Sequence, residues 1–163
     1  PARAKARLEA QMRALKGSLL LRIQGLRVEL ANLQGRVALA LAAQAPSPEA
    51  SFRAAEKAAS ALEKERATWA TPLGTLMRAS IAAGRGDSPR AIALLDRADV
   101  ELNEAGMQLY AAAARWRKGA LVGDLRGEAI IDEARAWMKA REVRQPERML
   151  GVLAPGPWTA AGR

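Results

Sequence analysis

Residues 79–98 read ASIAAGRGDSPRAIALLDRA, and the architecture of the chain can be inferred from this segment. An apolar, alanine-rich segment precedes a polar turn at Gly84-Arg85-Gly86-Asp87, and a second such segment follows the turn. Either glycine can end a helix in a left-handed conformation, Asp87 or Ser88 can cap the next helix, and Pro89 suits its first position. The stretch therefore predicts two antiparallel helices joined by a tight turn.

The opening of the second helix recurs along the chain. Pro48-Glu49-Ala50, Pro89-Arg90-Ala91 and Gly127-Glu128-Ala129 each begin an apolar helical pattern, and their alanines lie 41 and then 38 residues apart. A period in this range is typical of stacked helical hairpins, in which no repeat can bury its apolar face alone. We therefore predict an all-α fold of stacked antiparallel helical hairpins.

Apolar positions spaced by three and four residues extend this prediction over the chain. Residues 1–18 predict the trailing helix of a preceding repeat, residues 19–154 the stacked hairpins, and residues 155–163 a flexible C-terminal tail. The predicted helices span about 3–16, 19–43, 48–66, 71–83, 88–105, 107–120 and 125–141, with a short capping helix at 146–153.

Two sets of apolar side chains carry specific expectations. In the long helix at 19–43, a buried stripe is predicted at Leu19, Ile23, Leu26, Leu30, Leu33, Val37 and Leu41. In the first helix, Leu8, Met12 and Leu15 would be left exposed if a preceding repeat is missing, and such a face would drive homodimer formation.

Composition limits the chemistry of the chain. It has 163 residues, no Cys and no His. Zero Cys excludes disulfides and thiolate metal sites and fits a reducing cytoplasm, and the most common general base is missing. No apolar run approaches the roughly 20 residues that span a bilayer. We therefore expect a cytoplasmic, non-enzymatic chain without cofactor or metal.

The chain is strongly basic, with a net charge of +9. Such a balance suits nucleic acid, an acidic partner or a membrane surface. In the cluster Arg115-Trp116-Arg117-Lys118, Trp116 would suit stacking on single-stranded nucleic acid. It also lies at core spacing from Tyr110 and Ala113, and we interpret it as packed. An Arg-rich helical module that binds nucleic acid or another acidic surface non-specifically remains the alternative function.

Residues 79–98 resemble a tetratricopeptide repeat. That motif has small residues where its helices cross, a turn glycine, and an Ala-x3-aliphatic-x2-Ala pattern in its second helix. The resemblance departs from the motif at Ala82, where a large ring is normal, and at Thr75, where a Trp is normal. A weaker copy follows at Ala129 and Ala136, interrupted by Glu133. The matching positions are Ala79, Gly86, Ala91, Leu95 and Ala98.

Residues 19–156 also look similar to the C-terminal helical region of large bacterial serine/threonine protein kinases. Any kinase activity would lie outside this chain, since it has neither a glycine-rich phosphate loop nor a His-Arg-Asp catalytic loop. The resemblance implies a non-catalytic module that binds protein and regulates an attached domain. The motifs that carry it are Arg53-Ala54-Ala55-Glu56, Leu62-Glu63-Lys64-Glu65, Ala82-Ala83-Gly84-Arg85-Gly86-Asp87, Leu109-Tyr110-Ala111-Ala112-Ala113-Ala114-Arg115, Ala136-Trp137-Met138, Pro146-Glu147-Arg148-Met149 and Leu153-Ala154-Pro155-Gly156.

In tetratricopeptide arrays the first helix of each pair lines a concave groove. The corresponding segments here are 19–43, 73–83 and 107–120, and the polar groups that they offer are cationic. We therefore predict an acidic peptide or protein face as the partner, held by charge-assisted hydrogen bonds. Arginines that only keep the helices soluble are the competing interpretation. The candidate partner-binding residues are Arg22, Arg27, Arg36, Arg78, Arg115 and Lys118.

Overall fold

A computed structural model describes residues 1–16 and 19–158. In these residues a 3-10 turn at Leu19–Arg22 precedes α2, and the rest of the regular structure is α-helical. The helices are α1 (Ala2–Lys16), α2 (Gln24–Ala42), α3 (Glu49–Lys64), α4 (Thr71–Gly84), α5 (Ser88–Glu104), α6 (Gln108–Val122), α7 (Leu125–Lys139) and α8 (Pro146–Leu153).

The helices pack in the order in which the chain makes them. The pairs α2–α3, α4–α5 and α6–α7 form hairpins, while α3 packs on α4 and α5 on α6, so that the hairpins stack. Helix α8 contacts α6 and α7 at the far end of the stack, and α1 contacts α2. Both contacts are much less extensive than those within the hairpins. The all-α class and the stacked arrangement are confirmed, and no strand occurs in the described ranges.

Local turn signals define the hairpins as expected. Helix α4 ends at Gly84, Gly86 has a left-handed φ of 82°, and the Asp87 side chain accepts a hydrogen bond from the Arg90 N–H at 3.2 Å. Asp124 caps α7 in the same way through two backbone N–H groups. At the start of α3 Pro48 stands at the cap position, and no side chain caps this helix.

The predicted stripe of α2 is wrong. Leu19, Ile23, Leu26 and Leu33 are exposed, Leu19 to 71 %. Helix α2 instead buries a face with several small side chains, which let the neighbouring backbones approach closely, together with Val28 and Leu39. At Gly35 an added Cβ would overlap the Met77 side chain and lie 3.2 Å from the Ala58 Cβ. The buried residues of α2 are Val28, Ala31, Asn32, Gly35, Ala38, Leu39 and Ala42.

The expectation for the first helix also needs correction. Leu8 is buried within the chain rather than left exposed, and it lines a cleft between α1, α2 and α3. Leu15 is half-buried, and the Met12 side chain and residues 17–18 lie outside the described part. Leu8 therefore offers little apolar surface to a second copy of the chain.

The C-terminal segment was predicted to be a flexible tail from residue 155. As far as Trp158 it is packed instead: Pro155 is buried, and Gly156, Pro157 and Trp158 are half-buried. The segment lies against α4, the central helix, which α3 and α5 cover on other sides, so that almost every residue of α4 is buried. Residues 159–163 lie outside the described part.

Candidate protein-interaction groove

One helix of each hairpin lines a common side of the stack. The buried Asn32 on α2 donates from its side-chain amide to the Tyr110 hydroxyl on α6 at 3.2 Å. Leucine and methionine side chains of α4 lie at the same place. We call this side the groove. The side chains around its centre are Asn32, Arg36, Leu39, Leu73, Leu76, Met77 and Tyr110.

The C-terminal segment 153–158 occupies the groove. Arg36 Nη1 on α2 donates to the Val152 carbonyl at 3.3 Å, and the Ser80 hydroxyl on α4 donates to the Pro155 carbonyl at 3.0 Å. Arg117 Nε on α6 donates to the Ala154 carbonyl at 3.0 Å. Each of the three groove helices therefore contacts the main chain at the C-terminal end.

Two further contacts fix the end of this segment. The Trp158 indole N–H turns back and donates to the Ala154 carbonyl at 2.9 Å, and the ring centre lies 5.3 Å from the Arg117 guanidinium carbon. The cavity that remains beside the segment measures about 10 Å³. This is room for about one water molecule. The segment therefore fills the centre of the groove.

Arg117 is an unusual cation in this setting. Burial lowers its pKa to about 10. In the described part of the chain no carboxylate lies within ion-pair distance of it, so that a carbonyl and an indole ring stabilise its charge. A buried guanidinium without an acidic partner is costly unless other groups solvate it.

Four of the six predicted partner-binding residues are neutralised inside the chain. Arg27 forms two hydrogen bonds of 2.7 Å to the Glu65 carboxylate, and Arg78 on α4 binds Glu56 and Glu63 on α3. Two cations of α6 form ion pairs with α5 in the same way: Arg115 pairs with Asp99 at 2.8 Å, and Lys118 pairs with Asp96 at 2.5 Å. These cations connect neighbouring helices.

The pKa values of the acidic partners reflect this pairing. Hydrogen bonds from Arg78 lower the pKa of Glu63, and those from Arg27 lower the pKa of Glu65. Asp99 behaves in the opposite way, because the desolvation of its carboxylate outweighs the nearby Arg115 and raises its pKa. Folding therefore makes the first two carboxyl groups easier to ionise than a free carboxyl, and makes Asp99 harder to ionise.

The other two predicted residues differ from these four. Arg22 is exposed in the 3-10 turn, where its carbonyl accepts a hydrogen bond from Arg27. Arg36 reaches the groove, and its Nε is buried without an acceptor among the described residues. Sequence reasoning missed Ser80 and Arg117. Arg117 lies in the basic cluster that it singled out, but residue spacing alone could not distinguish Arg117 from its neighbours.

Trp116 is packed, as interpreted from the sequence. It is 6 % exposed, and its ring lies beneath the Arg135 guanidinium at 4.9 Å. Its ring is therefore closed to a stacking nucleobase.

The described residues include no group of three or more acidic side chains placed to hold a metal ion. None of the described helices is long and apolar enough to cross a membrane. No protein-family model matches the chain, and no curated protein or solved structure is significantly similar to it.

Proposed function

We propose that this chain is a non-catalytic protein-interaction module built as a short, degenerate tetratricopeptide-like array. The observation that carries the proposal is the groove with its bound segment. Ser80 on α4 and Arg117 on α6 donate hydrogen bonds to the carbonyls of Pro155 and Ala154, in the non-helical segment that follows α8. A surface that binds carbonyls of a non-helical segment is suited to another extended polypeptide, because every polypeptide offers the same carbonyls.

The partner that we propose is an extended peptide with an acidic group. Because Arg27, Arg78, Arg115 and Lys118 are already paired, the preference for acid rests on two other cations. Arg36 has a buried donor without an acceptor, and Arg117 has no carboxylate partner in the described residues. A carboxylate at either place would gain a charge-assisted hydrogen bond.

The context of the module remains a proposal from sequence resemblance. The motifs shared with the C-terminal helical region of bacterial serine/threonine kinases support attachment to a signalling kinase, whose activity the module would regulate from the cytoplasm. The reading frame upstream of this chain tests this directly. An upstream kinase domain is the expected result, and an unrelated upstream domain would contradict it.

Site-specific photo-crosslinking tests the interaction function itself. Tyr110 stands in the groove wall and is half-buried, and p-azidophenylalanine keeps its aromatic ring while it replaces the hydroxyl that accepts from Asn32. Leu125 on α7 is 83 % exposed away from the groove and serves as the control position. In the organism that encodes the chain, we expect a defined intermolecular adduct from position 110 and none from position 125.

Two outcomes would contradict the proposed function. One is that the probe at position 110 forms adducts only within the chain, with residues 152–158. The other is that both positions give the same set of adducts, which would indicate non-specific collision.

A further inference from the structure

We propose that the segment 153–158 is a resident ligand of the groove, and that the groove binds in trans an extended peptide with the same chemistry. The ligand class is an Ala-Pro-Gly-Pro-Trp type segment: main-chain carbonyls for Ser80 and Arg117, prolines around a glycine, and an aromatic ring over Arg117. This inference rests on the proposed interaction function and specifies the main-chain, proline and aromatic part of its ligand, to which an acidic group beside Arg36 would add a charge-assisted hydrogen bond.

The contacts of the segment are those of a bound peptide. After α8 ends at Leu153, the chain continues without helical structure, and its carbonyls accept hydrogen bonds from groove side chains. Pro155 and Pro157 have no N–H to satisfy, so a segment rich in proline leaves few unpaired donors when it is buried. Prolines also restrict the free peptide, which reduces the entropy lost on binding.

Gly156 sets the shape of the ligand. Its φ is 133°, a conformation that other residues rarely adopt, and an added Cβ would overlap the Ser80 hydroxyl and lie 3.3 Å from the Ser80 Cβ. Ser80 is 1 % exposed and donates to the neighbouring Pro155 carbonyl. A side chain at position 156 would therefore disrupt both the backbone conformation and this hydrogen bond. Glycine is the residue that this point of the groove accepts.

The resident segment is not fully enclosed by the groove, so that another peptide can replace it. Gly156, Pro157 and Trp158 are only half-buried, and the Arg36 Nε in the groove wall has no acceptor among the described residues. A peptide with one more carbonyl or a carboxylate near Arg36 would satisfy that donor. The resident segment has the advantage of its attachment, which supplies an effective concentration of about 1 mM. A free peptide at micromolar concentration therefore competes poorly until the segment is displaced.

The full chain supplies the test and its matched control. Gly156→Ala should displace the segment. Gly151→Ala changes another glycine of the same region, but its added Cβ meets nothing within 4 Å. The probe is a fluorescein-labelled peptide of residues 151–160, and fluorescence polarisation measures its binding. A labelled peptide with the same Gly156→Ala change serves as the control ligand.

We expect the Gly156→Ala chain to bind the probe at least ~10-fold more tightly than the unmodified chain, because positive-φ strain at a non-glycine residue weakens the resident contact by about this factor. The Gly151→Ala chain should bind like the unmodified chain, and the control peptide should bind none of them. Changing Arg117 to Met in the Gly156→Ala background should abolish binding, since the contacts to Ala154 and Trp158 are lost.

Several results would overturn the inference. One is a folded Gly156→Ala chain that binds the probe no better than the unmodified chain. Another is equal, tight binding to all three chains, which would show that the segment does not compete. If Gly156→Ala fails to fold, Trp158→Ala replaces it with the same expectation, and failure of both to fold would show that the segment is core.

Failure here and failure of the proposed function are distinguishable. An intermolecular adduct at position 110 in cells, without peptide binding in vitro, would refute only the ligand that we propose. Peptide binding without such an adduct would refute only the cellular function.

Discussion

The crossing of α6 and α7 gives the sharpest stability prediction. Gly119 and Gly127 face each other where these helices touch. A Cβ added at Gly119 would lie 2.5 Å from the Gly127 carbonyl oxygen and 2.9 Å from Ile131 Cγ1. Ordinary contact begins near 3.4 Å, so the two backbones would have to separate by about 0.9 Å. Backbone atoms cannot rotate away as the end of a flexible side chain can.

The magnitude follows from two opposing contributions. Alanine in place of glycine favours a helix by about 1 kcal/mol, while overpacking a close crossing costs about 1–3 kcal/mol. Gly151→Ala in α8 serves as the control, since its Cβ enters open space. If both carry a similar helix gain, the difference between the two variants isolates the packing cost. We expect Gly119→Ala to be less stable than Gly151→Ala by ~1–3 kcal/mol.

Urea unfolding followed by far-ultraviolet circular dichroism measures this difference. Gly127→Ala provides a second check, because its Cβ would overlap the Gly119 carbonyl oxygen. Once either substitution has separated the two helices, the second one meets less overlap. The double variant should therefore lose less free energy of unfolding than the sum of the losses in the two single variants. Equal stability of Gly119→Ala and Gly151→Ala within about 0.5 kcal/mol would refute the close crossing.

Four further predictions follow from the same contacts. Leu39 is 2 % exposed, and Leu39→Ala should lower the free energy of unfolding by ~2–5 kcal/mol, whereas Leu33 is 41 % exposed and Leu33→Ala should lower it by under ~1 kcal/mol. Equal losses of stability in urea unfolding would instead support the buried stripe that was predicted from the sequence. Ala91→Leu should destabilise by ~1–3 kcal/mol through overpacking at a fully buried site, and unchanged melting would contradict this. Pairing with Arg78 lowers the pKa of Glu63, so the pair stabilises the fold fully above pH 4.5, the ordinary pKa of this carboxyl, and the stabilisation is lost as the pH falls through the lowered pKa of the folded chain. Glu63→Gln should therefore lower the free energy of unfolding by about 0.5–1 kcal/mol at pH 7, and its stability should converge with that of the unmodified chain in acid. Any DNA binding should be weak, indifferent to sequence and steeply salt-dependent, and tight binding in high salt would favour the nucleic-acid alternative.

The helices and their turns could be predicted because their signals are local. Glycines, prolines and caps act within a few residues, and the turn at Gly86 and Asp87 formed as expected. The buried face of α2 could not be predicted in this way. Periodicity shows that the leucines share one side of the helix. Which side is buried, however, depends on how closely the neighbouring helices approach. Here the close approach at Gly35 favours the small-residue face.

The groove was harder to predict for another reason. The helices that line it were expected as helices, but pairs such as Arg78 with Glu63 and Arg27 with Glu65 join residues that lie far apart in the chain. Spacing within one helix contains no information about such pairs. The Pro-Gly-Pro run indicated a non-helical segment, and nothing in the sequence indicated that this segment would fold back onto α4.

Nuclear Overhauser contacts from the C-terminal segment test the occupied groove most directly. An added Cβ at Gly84 would lie 2.6 Å from Pro157 Cγ and 2.5 Å from the Phe52 ring, so these three residues are neighbours. In the isotope-labelled chain, we predict cross-peaks between the Pro157 ring protons and the Gly84 α-protons, and between Gly156 and Ser80. Random-coil shifts for residues 155–158 without these cross-peaks would contradict the account.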